Sequence, residues 1–318
     1  PQDFLASPAR WMQWMSDYKG TATAGPNFSY ALATRALKRL EDLDLSHWRV
    51  ALNGAEPVDP ATMEAFCEAG ARHGFHPGAA FPAFGMAEVA IAGTFPPPGR
   101  GLVVDTVDKN RLETERFAAP CEAGDGSCSL ALLGRPIPGL EIRICDPETG
   151  AVMAEREVGE LEIRGTSVTP GYYKHEQATA DAFHDGWLRT GDLAYTVDGE
   201  LVVCGRIKDM IIVGGRNVFP EDVERAVAEV EGVRAGNVIA FGVAGGRGHE
   251  RIVVVAETKE TDAKPLRDRV IQRVRSAIGL PPTDVVFVGP GTLPKTSSGK
   301  LQRSLCKVRY LGRELQAV

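Results

Sequence analysis

Apolar residues recur along this chain with two different periods, and the change from one to the other marks its organisation. Met63, Phe66, Cys67 and Gly70 fall at i, i+3, i+4 and i+7 behind Asp59 and Pro60, which suit the cap and first position of a helix. Upstream, residues 34–43 read as a helix with Leu37 and Leu40 on one face, followed by a strand at about 48–52. From 129 to 204 the runs shorten to LALLG, LEIRICD, GELEIRG and ELVVC with turn residues between them, which predicts a small antiparallel sheet or barrel.

Beyond residue 205 the helical and strand periods alternate. A strand at 210–213 leads to a helix starting at Pro220, with Val223, Ala226, Val227 and Val230 at helical spacing. Strands are expected at 237–243 and 251–257, then a charged helix at 263–278 and a strand at 285–288. A final helix is expected to carry Leu301, Leu305, Val308 and Leu311. The fold class is therefore mixed: an α/β and α+β part over residues 1–205 that includes a barrel-like β subdomain, and a small α+β domain over 206–318.

Composition narrows the class. The chain has 318 residues, 43% hydrophobic and 25% charged, enough for a substantial core and about two domains. Disorder and fibre are excluded, since 35 Gly and 21 Pro are scattered without a three-residue period. Apolar runs such as 210–213 are far too short for a membrane span. Six Cys without a C-x-x-C pair suggest neither a disulfide framework nor a zinc ribbon, and read as free thiols of a cytoplasmic chain. In that setting the Asn27-Phe28-Ser29 glycosylation triplet is irrelevant. A net charge of -6, with no basic tract or signal peptide, gives no argument for nucleic acid.

Charge is divided unevenly. Residues 206–318 hold 19 Lys and Arg against 13 Asp and Glu, a net of +6, and the preceding part carries -12. That asymmetry marks a boundary, and it suits an acidic partner for the C-terminal part. His73 and His76 lack a third ligand nearby, so no metal site is expected there. The chain opens PQDFLASPAR without Met and reads as a fragment or trimmed piece.

The candidate chemistry begins at TLPKTSSGKLQR, residues 292–303, where Thr296 to Gly299 form a flexible turn presenting Lys300. A mobile ammonium can bind a carboxylate and a phosphate together and neutralise charge that develops between them. This string, with TGD at 190–192, GRIKDMIIVGGRNVFPEDVE at 205–224 and FGMAE at 84–88, resembles the adenylate-forming superfamily. The superfamily takes in acyl-CoA synthetases, luciferases and peptide-synthetase adenylation domains. The resemblance implies the C-terminal portion of a large adenylation domain followed by a small mobile domain. It also implies an ATP-dependent ligase that turns a carboxylate into an acyl adenylate and then passes the acyl group to a thiol.

Within the superfamily the chain is most similar to fatty acyl-AMP ligases. AGPNFSYAL at 24–32 and NGAEPV at 53–58 resemble elements of that branch, as does the Ala in FGMAE. Residues 104–120, VDTVDKNRLETERFAAP, resemble the insertion that separates these ligases from CoA synthetases. The implied substrates are a fatty acid and ATP with Mg2+, and the implied partner is an acyl carrier protein or a carrier domain of a polyketide or peptide synthase.

The resemblance implies roles residue by residue. Asp192 matches the aspartate that accepts from the ribose hydroxyls, where an ionised carboxylate forms charge-assisted bonds. Glu88 matches the magnesium ligand, a hard oxygen donor. Phe84, with Gly85 and Met86 beside it, matches the aromatic position that packs on adenine, without the hydroxyl of the usual Tyr. Gly54, Ala55 and Glu56 match a loop whose backbone passes close to the adenine, an approach that small residues permit. Arg206 matches a ribose- or phosphate-contacting arginine, Asp209 the hinge, and Lys300 the lysine that engages the carboxylate and α-phosphate in one of two domain orientations. Gly25, Pro26, Asn27 and Phe28 match a segment bordering the acyl pocket.

One element of the family is missing. The Ser/Thr/Gly-rich phosphate loop of the form TSGSTGxPKG does not occur in this sequence, and GGRGHE at 245–250 stands in the wrong order to replace it. The chain alone is therefore expected to form no acyl adenylate at a useful rate, whereas a longer parent should. Two other functions stay open at this point. One is an acyl-CoA synthetase, which shares the first half-reaction; the other is a non-catalytic module that binds adenylates or a carrier protein.

Overall fold

The computed structural model describes residues 2–245, 250–260, 262–296 and 299–316. Residues 246–249 of the Gly-rich stretch, and Ser297 and Ser298 of the turn before Lys300, lie outside the described residues. The chain forms two compact units, Pro1–Cys204 and Gly205–Val318. Each has its own core.

In the first unit, strands Ala22–Gly25, Val50–Asn53 and Ala80–Pro82 form a parallel sheet in that order. Helices Asn27–Leu37 and Pro60–Ala71 supply the crossovers that parallel pairing requires. The second starts as the sequence predicts: the Asp59 side chain accepts from Thr62 N at 3.1 Å, Pro60 follows, and Met63, Phe66 and Gly70 are buried. The first departs from expectation, because it begins at Asn27 and has ended by Leu37, where a helix was predicted over 34–43. Its buried face is Ser29, Tyr30, Ala33, Thr34 and Leu37. Two of those are polar, and Thr34 hides its hydroxyl by donating to Tyr30 O at 2.8 Å, so an apolar count misses the first two turns.

The core of this region is aromatic. Phe66 is fully buried and meets Tyr30, Phe75 and Trp48 edge-on at centroid distances of 5.0, 5.1 and 5.7 Å. Tyr30 keeps its polar handle satisfied by donating its phenol to Leu52 O at 2.9 Å, and burial raises its pKa.

The antiparallel sheet expected downstream has five strands. Phe183–His184, Trp187–Val197, Gly159–Gly165 and Leu140–Cys145 lie in that order, and Glu200–Arg206 pairs with Trp187–Val197. The run at 130–134 is not part of it: Ser127–Ala131 pairs instead with Val104–Asp108 in a separate hairpin that carries helix Lys109–Glu115 between its strands. The longest strand of this sheet, Trp187–Val197, was not expected, because Thr190, Gly191 and Asp192 break its alternation.

The second unit is built on a three-stranded sheet. Val233–Ala244 runs antiparallel to Glu250–Thr258, which pairs in parallel with Asp284–Val288. The period of two sends Val238, Ala240, Ile252, Val254 and Ala256 to one face, under helices Pro220–Ala228 and Ala263–Ile278. Ile239, Phe241, Val243, Val253 and Val255 go to the other face, against Cys306 of helix Arg303–Leu311. That last helix corrects the sequence reading. Leu301 lies before it, in a bridge to Lys295, and Leu305, Val308 and Leu311 are exposed; Cys306 and Tyr310, one turn apart, make the packing. At the start of the unit, Ile211–Val213 and Arg216–Val218 form a hairpin joined by Gly214 and Gly215 at φ +60 and +81, a two-residue turn that only glycine makes without strain.

Because Phe66 touches three other rings, Phe66→Ala is expected to destabilise the first unit by about 3–5 kcal/mol. Urea unfolding followed by tryptophan fluorescence checks this, and a loss below about 1 kcal/mol would contradict the packing described.

Candidate functional site at the carboxyl ends of the parallel strands

The register of the parallel sheet brings three loops together. Gly25 pairs with Asn53 and Asn53 with Pro82, so the chain leaves the three strands at one level. The segments that depart there are Pro26-Asn27-Phe28, Gly54-Ala55-Glu56 and Ala83-Phe84-Gly85-Met86. The crevice outside the carboxyl ends of parallel strands is where open α/β sheets receive ligands.

Hydrogen bonds fasten the three loops to each other. Asn27 N donates to Glu56 Oε1 at 2.8 Å, and Asn27 Nδ2 donates to Pro57 O at 2.7 Å. Asn27 Oδ1 accepts from Asn53 Nδ2 at 2.9 Å and from Asp59 N at 3.0 Å, while Ala83 N donates to Asn53 O at 2.9 Å. Glu56 and Asn27 therefore hold loop geometry, whatever else they touch. Gly54 is buried against the third loop: a Cβ there would stand 2.8 Å from Ala83 O. A Cβ on Gly85 would meet Ile91 O at 1.6 Å. Ala55 is exposed and takes φ +71, which turns the backbone outward.

Phe84 and Met86 are half-buried and pack with Val89 on the core of the five-stranded sheet. Glu88 sits in the short turn of helix Ala87–Val89 that follows. Its carboxylate accepts from the Tyr172 hydroxyl at 2.9 Å and its carbonyl from Thr169 N at 2.7 Å. Partial burial, together with the bond to Glu88, raises the Tyr172 pKa. On the same sheet, the pairing of Trp187–Val197 with its neighbour shifts register between Arg189 and Leu193, so Asp192 lies in an irregular stretch of a strand. Asp192 is 6% exposed, and its N–H donates to Thr190 Oγ1 at 3.1 Å. Gly191 N donates to Glu160 Oε1, whose other oxygen is paired with Arg189.

In the second unit Arg206 is exposed and Asp209 closes the short helix Ile207–Asp209. Asp209 Oδ2 accepts from Arg303 at 2.6 Å, and the same guanidinium reaches Glu221 at 3.1 Å and Glu224 at 3.0 Å. Burial pushes the Glu224 carboxyl up to about 7 against the pull of Arg303, and raises Glu221 as well. Lys300 is fastened to Thr296: Thr296 N donates to Lys300 O at 2.8 Å and Lys300 N to Thr296 Oγ1 at 3.1 Å.

Gly54 and Gly85 are required by packing within the protein, since a Cβ on either would meet a backbone oxygen of Ala83 or Ile91, while Asp192 and Glu88 supply hard oxygens from one unit. Among the described residues no three His, Cys, Asp or Glu form a metal-binding group. A magnesium ion on Glu88 would therefore complete its shell with phosphate oxygens and water, its usual habit.

The sequence reading did not single out Asn53, Tyr172, Glu221, Glu224 or Arg303. Asn53, Glu221, Glu224 and Arg303 lay inside strings already noted, NGAEPV, GRIKDMIIVGGRNVFPEDVE and TLPKTSSGKLQR. Tyr172 carried no signal, because its link to Glu88 spans 84 residues.

The chain belongs to the AMP-binding enzyme family, whose profile matches residues 1–173. Its resemblance to the adenylate-forming superfamily and to the fatty acyl-AMP ligase branch is borne out by its relatives. It is 43% identical over 312 residues to a putative ligase of Mycobacterium tuberculosis, covering 96% of this chain and 57% of that protein. It is 36% identical over 329 residues to a medium-chain-fatty-acid–[acyl-carrier-protein] ligase of Moorena producens, covering 98% and 55%. A solved structure from work on fatty acyl-adenylate ligases of E. coli and L. pneumophila superposes with a TM-score of 0.89 at 34% identity, covering 98% of this chain and 57% of that one. The chain thus spans little more than half the length of the relatives it matches.

The raised Glu224 carboxyl carries a consequence for stability. Folded Glu224 holds its proton up to about 7, whereas the ordinary value is 4.5, so the folded unit binds more protons than the unfolded chain within that window. The contribution of Glu224 to stability therefore falls as pH rises through the window and levels off above it. Glu224→Gln is expected to flatten that slope, leaving the part due to Glu221; urea midpoints taken between about pH 5 and about pH 8 read the difference.

Proposed function

We propose that the protein containing this chain is a fatty acyl-AMP ligase. A fatty acid carboxylate attacks the α-phosphorus of ATP and pyrophosphate leaves; the phosphopantetheine thiol of a carrier protein then attacks the acyl carbon of the adenylate, forming the thioester and releasing AMP. The observation that carries the reading is the meeting of 25–28, 54–56 and 84–86 at the carboxyl ends of three strands in register. The Moorena producens relative, named for both a medium-chain fatty acid and an acyl carrier protein, supports the substrate class and the acceptor.

In this reading each group acts by its own chemistry. The ring of Phe84 and the backbone of 54–56 border the adenine, and Asp192 accepts from the ribose hydroxyls. Arg206 contacts ribose or phosphate. Magnesium, held by Glu88, offsets phosphate charge when bound. The Lys300 ammonium engages the carboxylate and the α-phosphate, lowering the charge repulsion between them as they approach. Asp209 is the hinge about which the second unit turns to expose the adenylate to the thiol. Residues 25–28 border the acyl chain.

The setting proposed is the cytoplasm; among the described residues no helix is long and apolar enough to cross a membrane. The net +6 of residues 206–318 suits an acidic carrier.

The test uses the intact protein with ATP, magnesium, a medium-chain fatty acid and coenzyme A, with products identified by mass spectrometry. Acyl-AMP that accumulates without acyl-CoA is the expected result; abundant acyl-CoA would make the protein a CoA synthetase instead. Lys300→Ala is expected to lower pyrophosphate release by about 100-fold or more, with KM for ATP little changed, the pattern of an interaction made in the transition state.

A further inference from the structure

Arg303 is held by three carboxylates of the second unit. Its guanidinium donates to Asp209 Oδ2 at 2.6 Å, to Glu221 Oε1 at 3.1 Å and to both oxygens of Glu224 at 3.0 and 3.1 Å. Its side chain is 18% exposed, and those of Asp209 and Glu224 are 13% and 19% exposed, so the cluster is largely withdrawn from water. Glu224 Oε1 also accepts from Ala240 N at 2.9 Å, which fixes the cluster to the central sheet. Arg303 and Asp209 are 94 residues apart in sequence.

What lies next to Arg303 in the chain gives that pairing a use. Thr296 N donates to Lys300 O at 2.8 Å and Gly299 N to Thr296 O at 2.9 Å, which fixes Lys300 against Thr296. Lys295 and Leu301 form a bridge, and Gln302 N donates to Pro294 O at 2.9 Å. Helix Arg303–Leu311 starts at the following residue. From Lys300 to the guanidinium there is therefore no slack backbone, and the guanidinium is clamped to Asp209.

We propose that Arg303 is a positioning residue for the activation step: it ties Asp209 to the segment that carries Lys300, so that the backbone conformation at Asp209 governs where the Lys300 ammonium is presented. This inference rests on the roles of Lys300 and Asp209 proposed above. Arginine suits the task because its planar fork holds several carboxylates in fixed directions, whereas a lysine at the same place would be a point charge with free rotation. The carboxylates facing it are Asp209, Glu221 and Glu224. Asp222 and Cys306 also stand near those carboxylates electrostatically, and both glutamates are held above their ordinary pKa by burial. Asp209 and the oxygens of both glutamates therefore surround the guanidinium from three sides of the cluster.

The experiment is a double-mutant cycle on the intact protein, read in single-turnover acyl-AMP formation from radiolabelled ATP, with thermal unfolding alongside. Arg303→Lys is expected to slow the step about 10- to 100-fold, the usual penalty for a misplaced catalytic group, with KM for ATP and fatty acid within about twofold. In a Lys300→Ala background the same change is expected to cost less than about twofold, because the group it positions is gone.

Additive losses in the double variant, or a wild-type rate in Arg303→Lys, overturn the inference and leave the site reading standing. A wild-type rate in Lys300→Ala overturns both. If Arg303→Lys does not fold, Arg303→Met combined with Glu221→Gln and Glu224→Gln avoids stranding buried glutamates, and the same cycle with Lys300→Ala decides.

Discussion

The alignment of Gly25, Asn53 and Pro82 across three parallel strands is the constraint on which the candidate site depends. Backbone pairing sets the level at which each loop leaves the sheet, and a shift of one residue would turn every side chain on a strand to the opposite face. Asn53 reinforces this from inside the core. Wholly buried, it gives its amide to Asn27 and its carbonyl to Ala83 N, so a single residue of the middle strand holds the loops on both sides. The side-chain oxygen of Asn53 is buried without a hydrogen-bond partner among the described residues, so the bond from its Nδ2 offsets only part of the cost of burying the amide.

How much of this could be read in advance follows the kind of physics involved. The helix behind Asp59 and the charged helix at 263–278 were legible because a cap, a proline or a sustained 3.6-residue period announces itself locally. The start of helix Asn27–Leu37 was not, since Ser29 and Thr34 are buried and defeat an apolar count. The strand Trp187–Val197 was hidden by the irregularity that carries Asp192. The last helix misled in the other direction: Leu305, Val308 and Leu311 supply a clean apolar spacing, yet the sheet is covered by Cys306 and Tyr310. Candidate site residues were legible as strings, through resemblance. Their partners were not, because bonds such as Glu88 with Tyr172 and Asp209 with Arg303 join residues 84 and 94 apart.

The segment at 104–120 shows how a resemblance acquires physical content. It forms a strand and a short helix, and its strand is fastened to the five-stranded sheet through Asp105. That carboxylate accepts from the Tyr195 hydroxyl at 2.9 Å and from Arg156 at 3.0 Å, while Arg156 also donates to Ala118 O at 2.9 Å at the far end of the segment. Tyr195 is fully buried, and its pKa is raised by desolvation, with nearby Cys204 and Asp105 adding to the shift. Both ends of the segment are thus pinned to one residue pair, Asp105 with Arg156.

The same logic, a carboxylate and an arginine withdrawn together from water, recurs at Asp209 and Arg303 with a different balance. At Asp105 one carboxylate meets one guanidinium and one hydroxyl, so charge is matched. At Arg303 three carboxylates meet one guanidinium, and burial raises Glu224 and Glu221 toward their protonated forms against the pull of Arg303. Removing one member of a matched buried pair strands a charge, whereas an over-supplied cluster can exchange a proton instead.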